Sequence, residues 1–115
     1  MKRNLPTSED RVKHVIEAIE NIEEFSGSHT YESFCSDNKT VSACLFQFSI
    51  IGEATFHVDS DILKKYTYPW HRVKSFRNFI LHEYFGIDLK LVWDTMKEIL
   101  PDLKTLMKQI LKQEF

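Results

Sequence analysis

Glycine and proline are scarce in this chain of 115 residues, which contains three of each. Strand-rich folds need many tight turns, and tight turns depend on these two residues. Their scarcity therefore favours long helices with few connections. The two cysteines, Cys35 and Cys44, form no C-x-x-C pair and have no histidine at a metal-binding spacing. We expect both thiols to be reduced, in a cytoplasmic setting, and to act as small apolar side chains.

Other patterns are absent as well. No run approaches about eighteen uninterrupted apolar residues, the length typical of a membrane-spanning helix. The start, MKRNLPTSEDR, has basic residues but no apolar segment behind them, unlike a signal peptide. The histidines show no H-x-x-x-H or H-E-x-x-H pattern, and there is no glycine-rich phosphate loop. The sequence thus predicts no membrane contact, no metal and no cofactor.

The composition is that of an ordinary globular protein, with 43% hydrophobic and 28% charged residues. The length suits one domain, and we see neither an internal repeat nor a long linker. We therefore predict a single domain spanning residues 1–115. A chain of this size can bury a sizeable core without a metal or a disulfide.

Apolar side chains recur at intervals of three and four residues, which places them on one face of a helix. Amphipathic helices joined by short connections must pack these faces together, and we predict an all-α, up-and-down bundle of four to five helices. The apolar sets are Val12, Val15, Ile16, Ile19 and Ile22; Val41, Cys44, Leu45, Phe48 and Ile51; Val73, Phe76 and Ile80; Leu89, Val92, Trp93, Met96 and Leu100; Leu103, Leu106, Met107, Ile110 and Leu111.

The chain also marks where the helices begin and end. An N-cap signal at Thr7–Asp10 precedes the first helix, and Asp37 is a suitable cap for the second. Pro69 suits the first turn of a third helix, which we expect to run from Trp70 to about Tyr84. The remaining expectations are a helix end plus linker over residues 26–36, a short helix or loop over 58–68, a stop at Gly86, a fourth helix from about Asp88 and a last helix after Pro101.

The net charge is −2, but the charges are unevenly distributed. From Ile62 to Leu81 every formal charge is positive, and tyrosine and tryptophan are interleaved with the basic residues. Such a strip can hold a phosphate backbone and stack a base. It can equally be a solvated helix face that lacks acids, and the pattern alone does not decide. The candidate RNA-binding residues are Lys64, Lys65, Arg72 and Lys74.

The side chains suited to catalysis lie between Arg77 and Tyr84. At about 100° per residue on an ideal helix, Asn78 and His82 point away from the apolar stripe, while Arg77 and Tyr84 lie at its edge. This arrangement suits a cleft formed with something outside the protomer, such as a two-fold copy. A histidine can draw the proton from a 2′-OH of RNA, and an arginine can clamp two phosphate oxygens. An arginine and a histidine at this spacing are also common by chance.

The run RNFILHEYFGIDLKLVWDTMKEILPDLK, which begins at Arg77, resembles the HepT-like branch of the HEPN superfamily, whose mark is R-x-x-x-x-H-x-Y. The segments 50–54, 69–70 and 10–15 match the family's IIGEA, PW and DR-x-x-HI pieces in the same order and spacing. The likeness covers nearly the whole chain, which makes it more specific than the short motif.

This resemblance implies an all-α bundle, a homodimer with the motif at the dimer cleft, and a ribonuclease that acts as a toxin. It also implies a partner, an MntA-type nucleotidyltransferase antitoxin that silences the toxin by attaching AMP to the motif tyrosine. Carried over by position, Arg77 and His82 are catalytic, Asn78 supports them and Tyr84 is the modified residue. No metal or cofactor is implied.

Two departures and two alternatives remain. Phe46 and Phe48 stand in a helix where family members often carry basic or polar residues, and the overall charge is mildly acidic. Glu53 we interpret as structural, paired with a base on a neighbouring helix. One alternative function is a non-catalytic module that binds a nucleotide or docks a nucleotidyltransferase, and another is a degenerate structural protein.

Overall fold

The structure is a computed structural model that describes residues 5–79, 86 and 88–115. Regular structure in these ranges is helical throughout, which confirms the all-α prediction. Ile80, His82 and Tyr84, for which the sequence predicts a core, a catalytic and a modified residue, lie outside the described residues. The helices are α1 Ser8–Ser26, α2 Tyr31–Ser36, α3 Asn38–Phe56, α4 Ser60–Leu63, α5 Trp70–Ser75, a 3-10 turn Phe76–Asn78, α6 Leu89–Asp94, a π turn Thr95–Ile99 and α7 Leu100–Glu114.

Helix α1 packs against both α3 and α7 and forms one wall of the bundle. Its start is the predicted one, because the Thr7 hydroxyl accepts a hydrogen bond from the Asp10 amide and the Asp10 carboxylate accepts one from the Thr7 amide. Such a reciprocal cap satisfies two amides that the helix leaves without partners. Its buried face carries the predicted apolar set, Val12, Val15, Ile16, Ile19 and Ile22.

The prediction for residues 26–36 is a helix end plus linker. The helix end is confirmed, since α1 ends at Ser26, but the linker is wrong in its second half, which forms α2. Thr30 and Ser33 build a second reciprocal cap, with hydrogen bonds of 3.0 and 3.1 Å between side chains and amides. Phe34 is fully buried, and its ring centroid lies 5.3 Å from that of Trp93. One cap and one aromatic anchor thus suffice for a helix too short to show a period.

The predicted last helix is confirmed, since α7 begins at Leu100 with Pro101 in its first turn. It is not separated from the helix before it: α6 begins after Asp88, near the predicted start, and its helical path continues through the π turn into α7. A proline has no amide to donate to the carbonyl four residues earlier, and its ring crowds that carbonyl. A wider turn just before Pro101 leaves room for the ring and does not need the missing donor, so the helical path does not end there. Pro69 lies one residue before its predicted position, since it is the N-cap of α5 rather than a residue of the first turn.

Helix α3 lies at the centre and is apolar over much of its circumference. Cys44, Leu45, Phe48 and Ile51 are fully buried, as the period predicts. Burial raises the pKa of the Cys44 thiol to about 11, so this group stays neutral at physiological pH. No helix among the described residues, α3 included, is both long and apolar enough to span a bilayer.

The C-terminal half of α3 touches the chain around Arg77 through backbone atoms. A Cβ added at Gly52 would lie 2.8 Å from the Lys74 carbonyl oxygen and would overlap the Arg77 backbone nitrogen. Because those obstructing atoms are backbone, no side-chain rotation can make room. Gly52 is therefore required for the close approach of α3 to the segment that carries Arg77.

We expect Gly52→Ala to destabilise the fold by about 3 kcal/mol, the upper part of the range for overpacking, even though alanine favours helices by about 1 kcal/mol over glycine. The melting temperature should fall by roughly 10 °C or more in a domain of this size. Thermal unfolding followed by circular dichroism measures this. Ser49→Ala on the same helix is the control and should melt near the parent temperature. Equal melting of both variants would show that α3 can move away.

Candidate functional site

The candidate site lies where α5 ends. The predicted continuous α-helix from Trp70 is wrong at this point, since α5 stops at Ser75 and Phe76–Asn78 form a 3-10 turn. The angles calculated for an ideal α-helix therefore do not apply to Arg77. Phe76 is buried and Phe79 half-buried, and both rings contact the Phe48 ring, with centroids at 5.3 and 4.9 Å.

The two residues between these aromatic anchors face outward. The side chain of Arg77 is 40% exposed, and Asn78 is exposed, as the sequence predicts for a residue pointing away from the apolar stripe. The short turn thus presents a cation and an amide side by side. His82 and Tyr84, the other two residues of the motif, lie outside the described residues.

Helix α3 holds the Arg77 guanidinium from two sides. Its central carbon lies 4.4 Å from the centroid of the Phe56 ring, within the range of a cation–π contact. Its Nη1 lies 3.7 Å from a Glu53 carboxylate oxygen, so the charges attract without a close hydrogen bond. This pair confirms the prediction that Glu53 binds a base on a neighbouring helix. A guanidinium held by a ring and a carboxylate, yet partly exposed, can still accept a phosphate.

Glu53 has a second partner on its own helix. Its other oxygen lies 2.9 Å from Nε2 of His57, one turn further along α3. The Phe56 and His57 rings meet edge to face, with centroids 5.3 Å apart. All of these side chains are about half exposed, so their ion pairs add little stability. Their effect is on orientation, because they restrict where the guanidinium can point.

Sequence reasoning did not identify Phe56 and His57. Their spacing of three and four residues from Glu53 was a usable signal, because such residues are neighbours on a helix. The missing information was that this face meets Arg77, which is distant in sequence.

The basic strip does not remain a row of unpaired cations. Lys65 Nζ lies 2.9 Å from a Glu114 oxygen, and Lys64 Nζ lies 4.0 Å from an Asp61 oxygen. The interleaved aromatic rings Tyr66, Tyr68 and Trp70 are partly buried against the core. Stacking of bases on these rings would compete with that packing.

The other two candidate RNA-binding residues lie on α5, close before Arg77 in the chain. Arg72 is exposed and lines a cavity of about 470 Å³ together with the acids Asp94 and Glu98. Lys74 is half-buried. Of the four basic residues, these two are nearest to Arg77 in sequence.

Among the residues that the structure describes, no group of three or more His, Cys, Asp or Glu side chains is placed so that it could hold a metal ion. The groups gathered around Arg77 are instead one carboxylate, one imidazole and one aromatic ring. The carboxylate and the ring orient the Arg77 guanidinium, and the guanidinium can in turn bind an anion.

Comparison with known proteins adds evidence independent of this geometry. A family model described as "Ribonuclease HepT-like" matches residues 15–110. The chain is 37% identical over 105 residues to a Thermococcus cleftensis protein named "Probable ribonuclease HepT", which covers 90% of this chain and 93% of that protein. It is 27% identical over 111 residues to a Caldanaerobacter subterraneus protein named provisionally as an RNase, covering 96% and 99% of the two chains.

A third relative is longer. The chain is 31% identical over 103 residues to a Methanocaldococcus jannaschii protein whose name combines gamma-glutamylcyclotransferase and a provisional RNase, and it spans 46% of that protein. No solved structure matches significantly. Because the family model covers most of the chain and the first relative is similar over almost its whole length, the chain belongs to the HepT-like ribonuclease family.

Proposed function

We propose that the protein is a metal-independent endoribonuclease in which Arg77 clamps the scissile phosphate and His82 is the general acid and base. Membership of a ribonuclease family supports the activity. The observation that carries the residue assignment is the placement of Arg77, oriented by Phe56 and Glu53 while 40% of its side chain stays exposed. Asn78, exposed beside it, is the supporting polar residue.

The reaction follows from what RNA itself provides. A base removes the proton of the 2′-OH, whose oxygen attacks the adjacent phosphorus, and the 5′-oxygen leaves with a proton from an acid. Histidine titrates near neutrality and can do both, which contributes about 10²–10⁴-fold. Negative charge builds on the phosphoryl oxygens, and a permanently charged guanidinium stabilises it. The products carry a 2′,3′-cyclic phosphate or its hydrolysed form.

Two copies of the single domain, residues 1–115, would form the working unit. Phe46 and Phe56 on α3 are 52% and 48% exposed, and Phe56 adjoins Arg77. Large exposed aromatic side chains near a functional group are typical of an interaction surface. A two-fold homodimer through this face would cover the rings and bring two copies of Arg77 to one cleft.

In the cell the enzyme would be the toxin of a toxin–antitoxin pair in the cytoplasm. Its partner would be a nucleotidyltransferase antitoxin of the MntA type, which attaches AMP to Tyr84. The added phosphate would bring negative charge to a residue only seven positions after Arg77 and compete there with RNA. The alternative is a non-catalytic module that binds a nucleotide or docks the nucleotidyltransferase without cutting RNA.

Arg77→Ala and His82→Ala should each lower kcat/KM for a single-stranded RNA by about 10²-fold or more, since each removes a group used in the transition state. Cleavage of a labelled oligonucleotide in the presence of EDTA measures this, and mass spectrometry of the products checks for the cyclic phosphate. Lys108→Ala, an exposed residue on α7, is the control and should cleave normally. Binding without cleavage by the parent protein would support the non-catalytic alternative instead.

Glu53→Gln should lower kcat about 3- to 10-fold without raising KM, because it loosens the guanidinium while removing a negative charge near the substrate phosphate. In an Arg77→Ala background the same change should cost nothing further, since the carboxylate acts through that residue. Glu23→Gln is a matched control, because Glu23 is equally exposed and paired with Lys104 elsewhere on the surface. Additive losses in the double variant would argue for a separate role of Glu53.

Co-expression with an MntA-type nucleotidyltransferase should add the mass of AMP to the intact protein and abolish its cleavage of RNA. The added charge and bulk, seven positions after Arg77 in the chain, account for the loss. Intact-mass measurement followed by peptide mapping checks the site. Tyr84→Phe should remain unmodified and active, whereas Tyr31→Phe, on α2, should behave like the parent. Modification of the Tyr84→Phe protein would refute this assignment.

A further inference from the structure

A groove runs between α1 and α3. It consists of two adjoining cavities of about 240 and 300 Å³ that share His14 and Ile50 in their walls. Both helices are long, so the groove has rigid sides. The first cavity is lined by Arg11, His14, Ser49, Ile50, Glu53 and Ala54, and the second by His14, Glu17, Ala18, Asn21, Gln47 and Ile50.

Arg11 has unmet hydrogen-bonding capacity in this groove. Its Nε is buried, and no hydrogen-bond partner for it exists among the described residues. An arginine is charged at any physiological pH, and a buried donor without an acceptor is unfavourable. A phosphate oxygen in the groove would satisfy this donor if the Arg11 side chain turned toward it, because the guanidinium fork matches phosphate geometry. The imidazole of His14 lines the same cavity and adds a donor.

The first cavity adjoins the candidate active site. Glu53 forms part of its wall and also lies 3.7 Å from the Arg77 guanidinium. Its negative charge is already paired with Arg77, so it opposes an anion in the groove less than an isolated carboxylate would. A strand whose phosphate sits on Arg77 can therefore continue past Glu53 to Arg11.

The second cavity has the chemistry of a base-binding pocket. The Asn21 amide donates a hydrogen bond of 3.3 Å to the Gln47 carbonyl oxygen, which leaves the oxygen of one and the amino group of the other available. Amide side chains of this kind hydrogen-bond the exposed edges of unpaired bases. Ile50 and Ala18 supply an apolar wall, and the exposed Glu17 adds an acceptor.

We infer that the α1–α3 groove is a nucleotide subsite for single-stranded RNA. Arg11 and His14 bind the phosphate next to the scissile one, and the following base lies between Ile50 and the Asn21–Gln47 pair. The inference rests on the proposed ribonuclease function and specifies the path of the substrate away from Arg77.

The test uses a fluorescent 2′-O-methyl RNA oligonucleotide, which lacks the nucleophilic hydroxyl and cannot be cleaved. Arg11→Ala should weaken its binding, measured by anisotropy, about 5- to 10-fold and reduce the salt dependence by about one phosphate contact. Asn21→Ala should weaken it less and leave the salt dependence unchanged. Lys13→Ala is the matched control, because Lys13 is a cation on the same helix that is exposed and paired with Glu9.

Arg11→Lys tests whether weaker RNA binding by Arg11→Ala comes from misfolding. It keeps the charge and most of the volume but loses the guanidinium fork, so it should bind with intermediate affinity while its circular dichroism stays that of the parent. Equal weakening by Arg11→Ala and Lys13→Ala would overturn the subsite, since only general charge would be involved. A changed sedimentation coefficient in Arg11→Ala would also overturn it, by showing that the groove is an interface between copies.

Cleavage assays separate this inference from the function on which it rests. If the parent protein cleaves RNA and Arg11→Ala does so with an unchanged KM, the subsite is wrong and the ribonuclease assignment stands. If the parent binds the 2′-O-methyl RNA through Arg11 yet cleaves no unmodified RNA, the ribonuclease assignment is wrong and the groove stands. Absence of any RNA binding by the parent overturns both.

Discussion

One contact determines the geometry of the functional region: at Gly52 the backbone of α3 meets the backbone around Arg77. Because no side chain separates them, the next residues on α3 are close enough to act on the guanidinium. Glu53 follows immediately, and Phe56 lies one turn later, so a carboxylate and a ring reach Arg77 from one helix. A larger residue at this crossing would hold the cation further from both.

The long helices could be predicted because their signals are local. Apolar periodicity and capping residues are properties of neighbouring positions, and the starts of α1 and α3 and the core faces follow from them. The 3-10 turn at Arg77, the short α2 and the π turn could not be predicted in the same way. Each depends on a tertiary contact or on an accommodation within the helix, such as the buried Phe34 or the wide turn before Pro101.

The residues of the candidate site, like the helices, could be predicted only where their signals are local in sequence. Arg77 and Asn78 could be recognised from their spacing and from the resemblance, since the motif is contiguous in sequence. The contacts of Arg77 with Phe56, and the groove beside Arg11, arise from helices that are adjacent only in the folded chain. For the basic strip, a local pattern was misleading. A run of basic residues does not reveal that Glu114, distant in sequence, pairs with Lys65.

The π turn at Thr95–Ile99 has a consequence for how the family can change its length. A π turn holds one residue more than the α-helical turn it replaces. Deleting one residue there would therefore give a regular α-helix and leave Leu103 and Met107, now fully buried, on the side that packs against α1. Deleting one residue within α7 itself would instead rotate everything after it by about 100°. Single-residue gaps should therefore be tolerated at Thr95–Ile99 as well as in the surface connections, but not within α7.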